Sequence, residues 1–211
     1  MSAARIVPAL ACLSLLTACV GLETPKPLLT HADEAGAPRL RTGVWAVNVK
    51  PGPCAFDEHK PIDQWRGCAA GVVIGPDTLR MQTDNKPKVV WETLAFIFSA
   101  GDPRIGQVGG KDKDGTETYD YAVAGATGAD AEGRIVSVTF WTVLCGPPPP
   151  DGADQSKLAA GTLALLPGMT ATPSESHCST TSVDALRGAA KASLAWKDSP
   201  IVAHWVRDGD R

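Results

Sequence analysis

The sequence predicts a mainly β fold of the α+β class, an antiparallel sheet or barrel-like domain with one C-terminal helix. Short segments rich in Val, Ile, Thr, Phe and Trp recur along the chain, turn signals separate them, and convincing helical periodicity comes only late. The chain has 211 residues, of which 44% are apolar and 20% charged. This composition suits a globular domain with a buried core.

The strand pattern covers most of the middle of the chain. It predicts strands at 43–49, 71–74, 78–82, 88–99, 105–109, 116–122 and 134–145, a strand or short helix at 158–166, and a final strand at 201–207. Gly75-Pro76-Asp77 and Lys113-Asp114-Gly115 are turn signals between neighbouring strands, and Asp-Gly is a strong hairpin cue. The prolines at 147–150 end the strand at 134–145, because proline cannot donate to a ladder.

One helix is predicted from Thr181 to about Trp196. Thr181 is the expected N-cap, and Asp184 three residues later completes a weak form of the capping box. Apolar residues then follow helical spacing at Val183, Leu186, Ala190 and Leu194.

The first 18 residues have the layout of an export signal, with Arg5 ahead of an apolar run from Ile6 to Leu16. That run is shorter than the roughly 20 residues that a membrane-spanning helix needs. The sequence Leu16-Thr17-Ala18-Cys19 follows and resembles the lipobox of bacterial lipoproteins. The resemblance implies cleavage before Cys19 and a lipid on that cysteine. Val20, where an aspartate would signal inner-membrane retention, implies anchoring at the outer membrane, facing the periplasm.

Residues 19–41 are predicted to be the lipidated cysteine and a flexible tether. The segment from Val20 to Arg41 contains three prolines, scattered charges and no sustained period. A chain of this composition can hold a domain away from a membrane surface. Residues 42–211 are then a single β-rich globular domain, and residues 1–18 are the signal peptide.

Cysteine usage fits an exported protein. Of six cysteines, Cys12 leaves with the signal and Cys19 takes the lipid, so that Cys54, Cys68, Cys145 and Cys178 remain. An even number in an oxidising compartment predicts disulfides, with three pairings open. Local closure favours Cys54–Cys68 and Cys145–Cys178. No Cys-x-x-Cys pair is present, so we expect no cysteine metal site.

Charge and motifs narrow the function. The net charge is −3 and no basic block is present, so nucleic acid is not an expected partner. Neither a Gly-x-Ser-x-Gly elbow nor a His-Glu-x-x-His motif occurs, Gly110-Lys111 lacks the rest of a phosphate loop, and Asp112, Asp114 and Asp120 lack the spacing of a calcium loop. We therefore expect no catalytic residues, metal or cofactor, with an envelope hydrolase the less favoured alternative.

Two sets of residues are candidates for binding. Asp57, Glu58 and His59 lie between Cys54 and Cys68, where a disulfide-closed loop would present them for recognition. Trp45 and Trp141 are aromatic anchors, and a cavity lined by them together with Trp91 would indicate a ligand carrier. The expected partners are the membrane, through Cys19, and an envelope protein, a glycan or a small apolar ligand.

The domain also resembles two families of barrels. Gly43-Val44-Trp45 opens the first strand of the predicted domain and Tyr119-Asp120-Tyr121 follows downstream, an order similar to the Gly-x-Trp and Thr-Asp-Tyr-x-x-Tyr motifs of lipocalins. Tyr119 stands in place of the threonine and Ala124 in place of the second tyrosine. A bacterial protease-inhibitor family with an eight-stranded barrel also begins with Gly-x-Trp. The lipocalin resemblance implies a carrier of a small apolar ligand. The function that we expect first is that of a membrane-anchored envelope lipoprotein with a non-catalytic binding or structural domain, and the carrier is the alternative.

Overall fold

Eleven strands and one α-helix make up the part of the chain that the structure, a computed structural model, describes. That part comprises residues 21–48, 55–65, 68–85, 88–112, 114–146, 165–171, 177–195 and 200–210. The strands are β1 (Gly21–Thr24), β2 (Gly43–Asn48), β3 (Ala69–Ile74), β4 (Thr78–Asn85), β5 (Lys88–Phe98), β6 (Arg104–Lys111), β7 (Glu117–Ala129), β8 (Ile135–Thr142), β9 (Thr170–Ala171), β10 (His177–Ser179) and β11 (Ile201–Arg207). The helix α1 spans Val183–Ser193, and short 3-10 turns cover His31–Glu34 and Ile62–Gln64.

Eight of the strands close into an antiparallel barrel. Their order is β6, β5, β4, β3, β2, β11, β8, β7, and β7 pairs back to β6 from Arg104↔Ala124 to Lys111↔Glu117. The last strand of the chain, β11, lies between β2 and β8. The predicted mainly β fold with one helix near the C-terminus is confirmed. The predicted element at 158–166 lies outside the described residues except at 165 and 166, which are not in a strand.

Three short strands extend the wall of the barrel on the edge of β7 that β8 leaves uncovered. β8 pairs with residues 122–129 of β7. β1 pairs with the residues of β7 that come before this range, through Glu23↔Asp120 and Thr24↔Tyr119. β10 then adds to β1 in parallel, and β9 pairs with β10. The extension lies beside the end of the barrel at which β8 finishes.

Strand alternation separates an inner core from two outer layers. In β2, Trp45 faces the barrel interior, whereas Val44 and Ala46 face outward, and all three are fully buried. The residues from Phe56 to Trp65 cover the outer face of β2 and β3. The approach is so close that a Cβ at Gly71 would lie 2.1 Å from Cγ2 of Ile62, which is why glycine stands there.

The helix α1 forms the second outer layer. Its buried residues Leu186, Ala189 and Ala190 pack against Ile105 and Val123 on the outer face of the closing strands. The N-cap is Ser182, whose Oγ accepts a hydrogen bond from the amide of Ala185 at 3.2 Å. The predicted N-cap at Thr181 is thus wrong by one residue, since the serine side chain reaches the free amides of the first turn.

The segment from Gly21 to Arg41 is part of the folded domain, so the prediction of a flexible tether is wrong for these residues. Leu22 and Leu29 are 2% and 1% exposed, and Leu40 is also buried. The amides of Leu28 and Leu29 donate to the side-chain oxygen of Gln107. Prolines keep the segment irregular, but side chains of the barrel supply its hydrogen-bond partners.

One disulfide joins Cys145, just after β8, to Cys178 in β10. This is the predicted pairing, and it ties the sheet extension to the barrel wall beside α1. Cys68 is also disulfide-bonded, with a partner outside the described residues. Cys54, its predicted partner, and Cys12 and Cys19 lie outside the described residues as well.

We predict that Leu22→Ala lowers the free energy of unfolding by about 2–4 kcal/mol, because it empties a site in a packed core. Leu194→Ala is the matched control: the same atoms are removed from a side chain that is 41% exposed, so the loss is about 1 kcal/mol or less. Urea unfolding followed by circular dichroism measures both. Equal, small losses in the two variants would mean that residues 21–41 are not docked.

Candidate functional site

The two ends of the barrel differ in how fully the interior is packed. At the end where β2 begins and β11 finishes, here the closed end, Leu40 and Trp45 are buried. The indole nitrogens of Trp45 and Trp205 donate to the carbonyl oxygens of Arg41 and Thr42 at 2.8 and 3.0 Å. The Arg41 guanidinium lies 3.5 Å from the centre of the Trp205 ring. The chain entering β2 therefore seals this end.

The interior is less covered toward the opposite end, here the mouth, where β2, β4, β6 and β8 finish. Inward-facing side chains there and at mid-barrel are only half-buried. The set that we call the cup consists of the apolar residues Val47, Val72, Leu94, Val108 and Phe140, and Glu92 of β5 shares their face. Val90, on the same face of β5 and nearer the mouth, is 43% exposed. Among the described residues, a largely apolar inner surface thus remains in contact with solvent. Such concave apolar surface is typical of small-molecule sites.

A group of titratable side chains lies at the mouth where the sheet extension meets the barrel. Asp120 pairs with Val108 of β6 and with Glu23 of β1, so its side chain shares their face of the sheet. His177, beside Gly21 in β10, places its Nε2 4.0 Å from Oε1 of Glu23. We call Glu23, Asp120 and His177 the rim cluster.

The Asp120 side chain is exposed, yet neighbouring protein atoms displace part of the water around its carboxyl group. The resulting loss of hydration raises the pKa of the Asp120 carboxyl above its usual value. The charge of His177 acts in the opposite direction, and that of Asp112 adds to the rise. A carboxylate held in a setting that disfavours its charge is a frequent mark of a functional site.

The carrier hypothesis predicts that Trp45, Trp91 and Trp141 line one cavity. In the structure these three side chains lie apart. Trp45 is inside, packed into the floor of the cup. Trp91 lies on the outer surface below Arg80, whose guanidinium carbon is 5.3 Å from the ring centre. Trp141 packs on the outer face near α1 and against Gly125. Strand alternation explains the separation, because Leu94 and Phe140, of opposite parity to Trp91 and Trp141, face inward.

The predicted recognition loop is fastened to the outside of the barrel. The Arg207 guanidinium donates to the carbonyl oxygens of Glu58 and Lys60. The side chains of Asp57, Glu58 and His59 are exposed. None of these three residues belongs to the cup or to the rim cluster.

The rim cluster was not predicted from the sequence. In the sequence, Asp120 belongs to the Tyr-Asp-Tyr motif and lacks the spacing of a calcium ligand, and its two neighbours in the cluster are about 60 and 100 residues away in the chain. Glu23 falls within the predicted tether, and His177 is next to Cys178, which is predicted to form a disulfide. Neither position indicates a binding role. Only the pairing of β1 with β7 and β10 brings the three together.

Comparison with models of protein families, with curated proteins and with solved structures found no match. Among the described residues, no helix is long and apolar enough to cross a bilayer.

We predict that Asp120→Asn raises the melting temperature at pH 7. A carboxyl whose pKa is raised by folding favours the protonated form, so its ionised form costs stability at neutral pH. The gain should disappear as the pH falls toward the usual carboxyl pKa of 3.8, where wild-type Asp120 is protonated as well. Thermal unfolding followed by circular dichroism between pH 7 and about pH 3 measures the effect.

Asp114→Asn is the matched control with the opposite sign. The Asp114 carboxylate accepts a hydrogen bond from the Thr116 amide at 2.9 Å, which lowers its pKa. Its ionised form therefore favours the folded state at neutral pH, and the variant should melt lower than wild type at pH 7. If Asp120→Asn also melts lower at pH 7, then the desolvated setting assigned to Asp120 is wrong.

Proposed function

We propose that the barrel is a non-catalytic binding domain that carries a small apolar ligand in the cup. The observation that supports this best is the partial exposure of inward-facing apolar side chains toward the mouth, above a sealed floor. Burying such surface against a ligand is worth about 25 cal/mol per Å². A binding domain for a protein or glycan has no need of an apolar interior that solvent reaches.

The rim cluster suggests what the outer end of the ligand contains. Glu23 and Asp120 are carboxylates beside the cup, and His177 is the titratable nitrogen base next to them. Carboxylates accept hydrogen bonds and attract positive charge. A ligand with an apolar body and a hydroxyl or amine at one end would satisfy both surfaces.

The proposed setting is the bacterial envelope, with a lipid on Cys19 and the domain facing the periplasm from the outer membrane. The lipobox-like sequence supports the anchor. Because β1 begins at Gly21, only Val20 would separate the lipidated cysteine from the folded domain. Two residues span at most about 7 Å. The anchored barrel would therefore lie directly against the lipid surface, where apolar ligands are available.

We predict that Leu94→Trp weakens binding of an apolar ligand at least about tenfold, or about 1.4 kcal/mol, because the larger ring occupies the cup. Thr93→Trp is the matched control, since Thr93 is the preceding residue and is exposed on the outer face of the same strand. The neutral fluorescent probe N-phenyl-1-naphthylamine reports binding. Wild type and Thr93→Trp should bind it alike. A wild-type protein that does not bind the probe, or two variants that bind as wild type does, would refute the carrier.

We predict that Cys19→Ala moves the protein from the membrane fraction to the soluble fraction of a bacterial host, because a single-site lipid anchor is lost. Cys12→Ala is the control: it removes a cysteine from the apolar run of the proposed signal and should leave the protein in the membrane fraction. Immunoblotting of fractionated cells measures both. A Cys19→Ala protein that stays in the membrane fraction would contradict the anchor.

A further inference from the structure

Three side chains that can ligate a metal converge near the closed end of the barrel, away from the cup and the rim cluster. They are His31 and Glu34, from the 3-10 turn of the N-terminal segment, and Asp77, from the turn between β3 and β4. His31 Nδ1 lies 3.0 Å from Glu34 Oε2 and 3.7 Å from Asp77 Oδ1. The ligand atoms of the three residues all lie within 4.8 Å of one another.

These separations match the edges of a metal's coordination shell. Zinc binds nitrogen and carboxylate oxygen at about 2.0–2.2 Å, and a tetrahedral arrangement then spaces neighbouring ligand atoms about 3.4 Å apart. The distances of 3.0 and 3.7 Å from His31 Nδ1 lie on either side of that value. We infer that His31, Glu34 and Asp77 form a binding site for a divalent transition-metal ion, with Zn²⁺ the best fit. Water would complete the shell, as at zinc sites with three protein ligands.

The three ligands, one imidazole and two carboxylates, also favour transition-metal ions over Ca²⁺ and Mg²⁺. Ca²⁺ takes six to eight oxygen ligands, and Mg²⁺ keeps an octahedral shell of oxygens. An imidazole nitrogen with two carboxylates suits zinc, nickel or copper. Neither Ca²⁺ nor Mg²⁺ should compete at this position.

Backbone amides near the end of β5 hold two of the three ligand residues in place. The amide of Phe98 donates to Oε1 of Glu34 at 3.1 Å, which leaves Oε2 directed toward His31. Two residues earlier in β5, the amide of Phe96 donates to the carbonyl oxygen of Asp77 at 3.0 Å. The Glu34 side chain is 11% exposed, whereas the side chains of His31 and Asp77 are 65% and 57% exposed. The Glu34 side chain and the Asp77 backbone are therefore already held in position before a metal binds.

Binding at this site would fasten the N-terminal segment to the barrel. His31 and Glu34 belong to the docked segment, whereas Asp77 belongs to a barrel turn. A metal bound to all three links parts of the chain that are more than 40 residues apart. A ligand that binds only the folded state stabilises it by mass action, so the melting temperature should rise with the concentration of Zn²⁺.

The test is a calorimetric titration of the protein, without a histidine tag and after dialysis against EDTA, with Zn²⁺ alone. The titration is run at about pH 8, where protons compete less with the metal for an imidazole nitrogen. We expect one equivalent to bind. Affinity should fall at least about tenfold in His31→Gln and in Glu34→Gln, since even outer-shell partners are worth about 10–100-fold.

His59→Gln is the control, because it removes an exposed histidine from a different loop and should leave Zn²⁺ affinity unchanged. Circular dichroism confirms that each variant is folded, and Glu34→Gln keeps an oxygen that can accept from Phe98. Wild type that binds no Zn²⁺ would overturn the proposal. Binding that survives both His31→Gln and Glu34→Gln, or that His59→Gln weakens equally, would also overturn it.

Discussion

The side chain of Gln107 holds the N-terminal segment on the barrel, and much of the structure depends on that contact. Gln107 is 3% exposed on the outer face of β6. Its Oε1 accepts from the amides of Leu28 and Leu29 at 3.0 and 2.8 Å, and its Nε2 donates to the Leu29 carbonyl oxygen at 3.2 Å. The amide side chain thus pairs with an irregular backbone as a strand would. A buried polar group left without these partners would cost about 1–3 kcal/mol.

The contact between Gln107 and the N-terminal segment also links the pairing of β6 with β7, which closes the barrel, to the rim cluster and to the proposed metal site. Gln107 pairs with Tyr121 across β6 and β7, and the Tyr121 hydroxyl in turn bonds with Thr24 at 2.7 Å. On one side of this clamp the segment becomes β1 and brings Glu23 to the mouth. On the other side it leads to Glu34 and then to Leu40 in the closed end. The N-terminal segment therefore contributes to both ends of the cup, with Glu23 at the rim and Leu40 at the floor.

Much of the barrel could be predicted from local sequence. Alternation and turn signals located its strands, and β11 matched the predicted range of 201–207. Local spacing could not reveal that the Gln107 side chain forms hydrogen bonds with the backbone of Leu28 and Leu29. The proline-containing segment from Val20 to Arg41 therefore has the sequence character of a tether. Nor did it reveal the rim cluster, which requires the register of β1 against β7. The inward or outward direction of Trp141 could have been derived from alternation with Phe140.

The two proposed sites make different demands on the fold. The cup needs an interior that stays incompletely filled, and the loss of hydration at its rim raises the pKa of the Asp120 carboxyl. A metal bound at the closed end would have the opposite effect and stabilise the fold, because it would link His31 and Glu34 to the barrel. A domain that keeps an uncovered apolar interior benefits from such a fastening, because stability lost at a functional site has to be recovered elsewhere.

Residues 21–41 are an integral part of the barrel and not a tether. Amide hydrogen exchange at Leu28 and Leu29, measured by NMR, tests this most directly. Both amides should be protected to an extent comparable with Val123 in β7, because Gln107 accepts from them in a buried setting. Exchange at the rate of an unstructured peptide would contradict this.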